Sequence, residues 1–254
     1  MKKKNKNVVV LLSGGLDSST LGYLAKNESK PYPKNRVYTL TFDYGQKHKR
    51  ELKSASTLAQ KIGASEHKVV KLDLTLWGGS ALTDPDLKVP LNRKLFKNKK
   101  EKLTTKSIPV TYVPARNTIF LSLALAYAEA VNASEIYIGI NSLDYSGYVD
   151  CRPEFIHRFQ ELIKVATVAA ANGKPIIIKT PLINLSKSQI VKLGHKLGVD
   201  WRSTWSCYMG GKYSCGLCDS CQLRLKGFSM AGIKDPLKYK TYPSFYKQWL
   251  ASMK

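Results

Sequence analysis

The sequence predicts an α/β fold, a doubly wound and mostly parallel sheet followed by a small C-terminal metal-binding module. Three observations carry this expectation. Apolar, β-branched runs alternate with helical periodicity through the first seventy residues, a pattern that implies parallel strands joined by right-handed crossovers with helices on both faces. A pair of glycines separates the first apolar run from the first helical stretch, as at the carboxyl edge of such a sheet, where ligands bind. Four cysteines crowd into the fifteen residues from Cys207 to Cys221, a density that points to a metal where no secretory signal precedes it.

Taken in order, Val8 to Leu12 is an unbroken apolar run suited to a strand buried on both faces. Ser13-Gly14-Gly15-Leu16-Asp17-Ser18 is the turn that follows it, and Ser19 to Ala25 continues as helix. Arg36 to Phe42 forms a second strand, and Lys49 to Ile62 an amphipathic helix with Leu52, Ala55, Leu58, Ala59 and Ile62 on one face. Lys68 to Leu72 is the third strand. Periodicity then fails over 73–110, where the stretch 88–106 is strongly basic. So long an irregular segment is expected to be a lid or an insertion, either a solvated loop or a cationic cover over phosphates. Thr118 to Val131 is apolar enough to be a buried helix, and Ile136 to Ile140 is the fourth strand. Pro153 opens a helix at a position where its missing N–H costs nothing. Ile176 to Ile178 is the fifth strand, and Ser186 caps a helix from Lys187 to Leu197 that Gly198 ends. The expected division is 1–200 for the nucleotide-binding α/β domain and 201–254 for the cysteine module and tail.

Composition bounds the function. In 254 residues, 41 Lys and Arg face 18 Asp and Glu, a formal net charge of +23. Such an excess favours phosphate-rich partners without choosing among them. The run Val8–Leu12 is shorter than a signal-peptide core and Thr118–Ala128 shorter than a membrane span, so a cytoplasmic protein with no membrane partner is expected.

The glycine turn reads as an anion site, the alternative being an ordinary βα turn whose glycines serve geometry alone. Unpaired N–H groups at a helix N-terminus favour phosphate, glycines let the backbone approach it, and Ser13 and Ser18 add hydroxyl donors. The letters match neither the Walker pattern nor the dinucleotide fingerprint. They resemble the Ser-Gly-Gly-x-Asp-Ser loop of enzymes that split ATP between the α and β phosphates. Asp43-Tyr44-Gly45-Gln46-Lys47-His48 ends the second strand at the same edge, either as a plain turn built on Gly45 or as an adenosine-binding edge.

Cys207, Cys215, Cys218 and Cys221 are placed to wrap one tetrahedral ion. A closed site of four thiolates makes Zn²⁺ structural, since no position is open for water; an iron–sulfur cluster is the alternative. Cys151 lies apart.

Beside the phosphate loop and Asp43–Gln46, three further stretches extend the likeness: Val113-Pro114-Ala115-Arg116-Asn117; Asp144-Tyr145-Ser146-Gly147-Tyr148-Val149-Asp150-Cys151-Arg152-Pro153-Glu154-Phe155; and Thr204-Trp205-Ser206-Cys207-Tyr208 with Cys215-Gly216-Leu217-Cys218-Asp219-Ser220-Cys221. With them the chain resembles the 7-cyano-7-deazaguanine synthase family from residue 8 to about 228. The resemblance implies an adenine nucleotide alpha-hydrolase-like, Rossmann-like fold. It also implies an ATP-dependent ligase of queuosine biosynthesis that adenylates 7-carboxy-7-deazaguanine, aminates it with ammonia, then adenylates the amide to expel AMP and leave the nitrile. ATP with Mg²⁺ is expected on Leu12, Ser13, Gly14, Gly15, Leu16, Asp17, Ser18, Ser19, Thr20, Leu21, Gln46 and Arg116; catalysis by Asp17, Ser18 and Lys179; the deazaguanine on Asp144, Tyr148, Asp150, Arg152 and Phe155; one structural Zn²⁺ per chain on the four cysteines; and a homodimer that needs no nucleic acid. Val149 stands where the family usually has proline, and 234–254 extends past the resemblance. Two other readings stay open: a tRNA base-modifying enzyme with the same loop, and a non-catalytic zinc-ribbon nucleic-acid binder.

Overall fold

A computed structural model describes residues 6–28, 36–93, 108–142 and 148–253. Five strands, β1 (Asn7–Leu11), β2 (Arg36–Asp43), β3 (Glu66–Lys71), β4 (Glu135–Tyr137) and β5 (Ile177–Lys179), form one sheet in the order β3-β2-β1-β4-β5. All neighbouring pairs are parallel, with Val9 opposite both Tyr38 and Ile136. The order runs outward from β1 in both directions, so the chain reverses its direction of travel between β1 and β4. The crevice beyond the carboxyl ends of those two strands is where such a sheet binds ligands.

The unbroken apolar run of β1 now has its reason. Val9 and Leu11 face one core with Leu40 and Phe42, under α3 (Arg116–Ala130) and α4 (Pro153–Ala166). Val8, Val10 and Leu12 face the other, under α1 (Leu16–Asn27), α2 (Arg50–Ile62) and α6 (Lys187–Lys196). A strand covered on both sides has no polar face to show. The helix expected from Thr118 begins two residues earlier, so Arg116 and Asn117 stand in its first turn rather than in a loop. A one-turn helix, α5 (Val168–Ala171), leads toward the edge strand β5.

The C-terminal part is more ordered than its sequence suggests. Helices α7 (Asp219–Ala231) and α8 (Ser244–Ser252) frame a third apolar cluster of Trp205, Cys207, Cys218, Cys221, Leu225, Tyr239 and Tyr246. The boundary drawn at 200 is crossed by packing: Trp201 and Phe228, edge to face at 5.4 Å, belong to the same core as β1 and α1. No helix among the described residues is long and apolar enough to cross a membrane.

Candidate active site

Ser13 to Ser18 links β1 to α1 across the carboxyl edge of the sheet. Gly14 has φ +78°, and a Cβ there would lie 2.5 Å from the Glu51 carbonyl oxygen, so the loop rests directly on the first turn of α2 only because that side chain is absent. The Ser13 amide donates to Ser18 Oγ at 3.1 Å and the two hydroxyls are 3.0 Å apart, which closes the loop on itself. Leu12, Ser13, Gly15, Leu16, Asp17 and Ser18 line a cavity of about 320 Å³, within the usual range for small-ligand sites. Ser19 and Thr20 instead turn their hydroxyls back to the Gly15 and Leu16 carbonyls, and Leu21 is buried in the core.

Asp17 points into this cavity. Its Oδ2 accepts from Lys187 Nζ at 2.7 Å, while the buried Oδ1 has no hydrogen-bond partner among the described residues. Lys187 is delivered by the first residue of α6, whose start is fixed by the reciprocal cap of Ser186 and Gln189. Lys179, expected to be catalytic, lies elsewhere. Its ammonium is 3.8 Å from Glu135, which Lys6 also holds at 3.2 Å, at the amino end of the sheet. The side chain runs back along β5, away from the glycine loop, and the lysine that reaches Asp17 is Lys187, eight residues further on.

The end of β2 supplies a second wall. Gln46 is locked by three bonds: Oε1 accepts from the Tyr44 amide at 2.8 Å, and Nε2 donates to the Phe42 carbonyl at 3.2 Å and to Glu51 Oε1 at 3.0 Å. Arg116 enters from α3 with its guanidinium 5.9 Å from the Tyr44 ring. Phe120 stacks on Phe42 at 3.9 Å. Burial pushes the Glu51 carboxyl up to about 7, against the opposing pull of Arg116 and the Gln46 amide. His48 lines the cavity, its Nδ1 without a hydrogen-bond partner among the described residues, and burial lowers its pKa.

The residues expected to hold a purine-like base are divided. Tyr148 reaches the cavity, its hydroxyl 2.8 Å from Thr111. Asp150 is buried and spent on structure: its Oδ2 accepts from the Asn117 amide at 3.1 Å, capping α3 from 33 residues away, and its carbonyl accepts from Asn117 Nδ2 at 3.1 Å. The need arises because Ala115, at the N-cap position, has no side-chain acceptor to offer. Phe155 packs against Phe159 in the core, and neither it nor Arg152 is among the cavity's lining residues. Asp144 lies outside the described residues.

The C-terminal module closes the cavity. The Trp205 amide donates to the Gly14 carbonyl at 2.8 Å, the Leu16 amide lies 3.4 Å from Ser206 Oγ, and Arg50 stacks over the Trp205 ring at 4.0 Å. Tyr208, Asp219, Ser220 and Arg224 complete the lining. Behind them the sulfurs of Cys207, Cys215, Cys218 and Cys221 all lie within 4.8 Å of one another, and can hold a metal such as zinc. Cys215 and Cys221 are 3.8 Å apart, the edge expected of a tetrahedron with Zn–S bonds of about 2.3 Å. Amides of Met209 and Cys215 point at Cys207 Sγ, and those of Leu217 and Cys218 at Cys215 Sγ, as anionic thiolates require. Gly216, at φ +83°, makes this turn possible; any side chain there would collide with the Thr241 carbonyl. Glu51 and Lys187 were not singled out from sequence as site residues, and Ser206 and Asp219 only as letters of the family-like stretches, since nearness to the loop in space is what marks them.

The queuosine biosynthesis protein QueC family matches residues 7–232 of this chain. The chain belongs to the QueC family. Curated relatives agree: it is similar to the 7-cyano-7-deazaguanine synthase of Nostoc sp., 54% identical over 231 residues covering 91% of this chain and 96% of that one. The protein of the same name from Thermosynechococcus vestitus is 52% identical, covering 94% and 97%, and that from Anaeromyxobacter dehalogenans is 52% identical, covering 92% and 96%. Each QueC relative is therefore matched along nearly its whole length, with the phosphate loop and all four cysteines inside the matched span.

Proposed function

We propose that this QueC-family protein is a 7-cyano-7-deazaguanine synthase that converts 7-carboxy-7-deazaguanine, ammonia and ATP into the nitrile through two adenylations in the one cavity described above. The observation that carries the reading is that the Ser13–Ser18 loop, Asp17 with Lys187, the Gln46–Arg116 wall and Tyr148 all open into that cavity. A carboxylate is a poor electrophile until one oxygen becomes a good leaving group, and adenylation supplies that. The substrate carboxylate attacks the α-phosphorus while the N–H groups opening α1 and the ammonium of Lys187 receive the charge of departing pyrophosphate. Ammonia then displaces AMP to give the amide. A second ATP activates the amide oxygen, and loss of AMP leaves the nitrile.

Gln46 and Arg116 are placed for the nucleoside and its phosphates, and the ring of Tyr148 for the base. Asp17 Oδ1, buried and without a hydrogen-bond partner among the described residues, fits a divalent cation; Mg²⁺ held there would neutralise pyrophosphate. Zn²⁺ held by the four cysteines would supply folding energy to the module that closes the cavity. The protein is proposed to be cytoplasmic and a homodimer, the latter supported by Leu162, Val165, Val168 and Ile177, which stand exposed on α4, α5 and the edge strand β5. The test is direct: purified protein with ATP, Mg²⁺, ammonium and 7-carboxy-7-deazaguanine should yield the amide and then the nitrile by mass spectrometry, with pyrophosphate released in both stages and no RNA added. Pyrophosphate release that depends on RNA would overturn the reading.

A further inference from the structure

Both nitrogen steps of this reaction release protons. When the lone pair of ammonia forms the C–N bond and the C–O bond to AMP breaks, one N–H proton must leave. The amide then loses one N–H proton as its oxygen takes the second adenylyl group. Its last leaves as the C–O bond to AMP breaks and the nitrogen lone pair completes the C≡N bond. A site that does this near neutrality needs an acceptor whose pKa lies close to the working pH.

Glu51 meets the geometric requirement. Its carboxylate lines the cavity, and its own carbonyl lies against Gly14, so a single turn of α2 fixes both the phosphate loop and this side chain. Oε1 accepts from Gln46 Nε2 at 3.0 Å, and no ion pair ties up the carboxylate among the described residues. Of the charged and titratable groups around it, the Arg116 guanidinium faces Glu51 itself and pulls its pKa down against burial, while the others are engaged elsewhere. Asp43, at the end of β2, is paired with Lys49 at 2.8 Å, and Tyr44 beside it faces Arg116 of α3. On the other walls, Asp17 is held by Lys187, Asp219 by Arg93 at 2.7 Å and Arg224 by Asp235 at 2.6 Å. Lys47 is tied to the Leu87 carbonyl, and burial pushes the Cys151 thiol and the Tyr148 and Tyr208 hydroxyls up, away from neutrality; His48 is the rival base near neutral pH.

Resting on the function proposed above, we propose that Glu51 is a catalytic residue, the general base that takes the N–H proton lost in amide formation and each of the two lost between amide and nitrile, returning each to water before the next. Its carboxyl, pushed up to about 7 by burial, suits a base that must accept and then release a proton at neutral pH.

The experiment separates proton transfer from nucleotide binding. ATP–pyrophosphate exchange with the carboxylate substrate in the absence of ammonia reports adenylation, which needs no base. Glu51→Gln, which keeps the side chain's size and a carbonyl acceptor for Gln46, should leave this exchange within about threefold of wild type. Ammonia-dependent amide formation should fall about a hundredfold or more. Measured at constant free ammonia, the acid limb of its pH–rate profile, near 7 in the wild type, should disappear. Glu51→Asp should keep that limb at a reduced rate. Equal loss of exchange and amide formation in Glu51→Gln would assign the residue to nucleotide binding and overturn the proposal, as would unchanged amide formation. An acid limb lost in His48→Asn but retained in Glu51→Gln would also overturn it. Wild-type protein that fails to exchange pyrophosphate would overturn the proposed function itself, and this inference with it.

Discussion

Lys187 and Lys179 stand eight residues apart, and only Lys187 reaches Asp17. Lys179 leaves its strand toward Glu135, whereas Lys187 sits on the first turn of a capped helix aimed at the crevice. Lys187→Met should lower pyrophosphate exchange about a hundredfold, or roughly 3 kcal/mol of transition-state stabilisation, while Lys179→Met should leave it within twofold. Glu51 shows the cost of a poised group. Because the fold raises its carboxyl from 4.5 to about 7, the folded state binds the proton more tightly than the unfolded chain does. Stability from this group is therefore greatest below 4.5, falls as pH rises toward 7, and stays reduced above it. Glu51→Gln removes that penalty and should be more stable than wild type at pH 8 by about 1–3 kcal/mol, a gap that closes toward pH 4. Urea titrations at the two pH values measure it.

At the scale of elements, the site depends on how helices begin. α1 begins on the phosphate loop, α6 begins with a capping box that presents Lys187, and α3 begins with no local cap and borrows Asp150 from across the fold. The aspartate expected to read the purine edge is thus committed to holding Arg116 and Asn117 in place, with Cys151 drawn in through the 3.3 Å contact from Asn117 Nδ2 to its sulfur. Asp150→Ala should cost about 1–2 kcal/mol of stability by loss of the cap, lowering the melting temperature by roughly 2–8 °C. Because the start of α3 also carries Arg116, the KM for ATP should rise in the same variant. An unchanged KM for ATP with a lost response to the deazaguanine would instead return Asp150 to base recognition.

At the scale of the whole molecule, the C-terminal module and tail are part of the active-site wall. Arg224 of α7 lines the cavity from a fully buried position. It makes a two-point pair with Asp235 at 2.6 and 3.0 Å and donates to Thr204 at 2.7 Å, while Asp235 also accepts from the Tyr239 hydroxyl and its amide donates to the Tyr246 hydroxyl. The carboxylate therefore comes from the tail, past the end of the family match at residue 232. Asp235→Ala leaves a buried guanidinium unpaired and should cost about 3–5 kcal/mol in a denaturation experiment, far more than breaking the solvent-screened Lys61–Asp200 pair. Cys215→Ser should lower zinc content and melting temperature together, and activity with them, because the segment it anchors closes the cavity. Normal melting in zinc-free protein would show that the metal is not structural.

What the sequence determined by itself was whatever fits in a short window. The unbroken run Val8–Leu12, the glycine loop, the Ser186 cap and the cysteine spacing each state their geometry within about fifteen residues, because strand and helix periods, cap hydrogen bonds and metal chelation are local physics. From these the doubly wound sheet, the glycine loop at its carboxyl edge and the cluster of four cysteines were legible. What only the tertiary structure decided was the use of residues whose partners lie far along the chain. Asp17 meets Lys187 across 170 positions, Arg93 meets Asp219 across 126 and Asp150 caps a helix 33 residues back. A lone glutamate in an amphipathic helix carries no mark of its role. Glu51 becomes a group poised near neutral pH only because the glycine loop, α2 and the start of α3 together bury most of it while its carboxylate stays on the cavity wall.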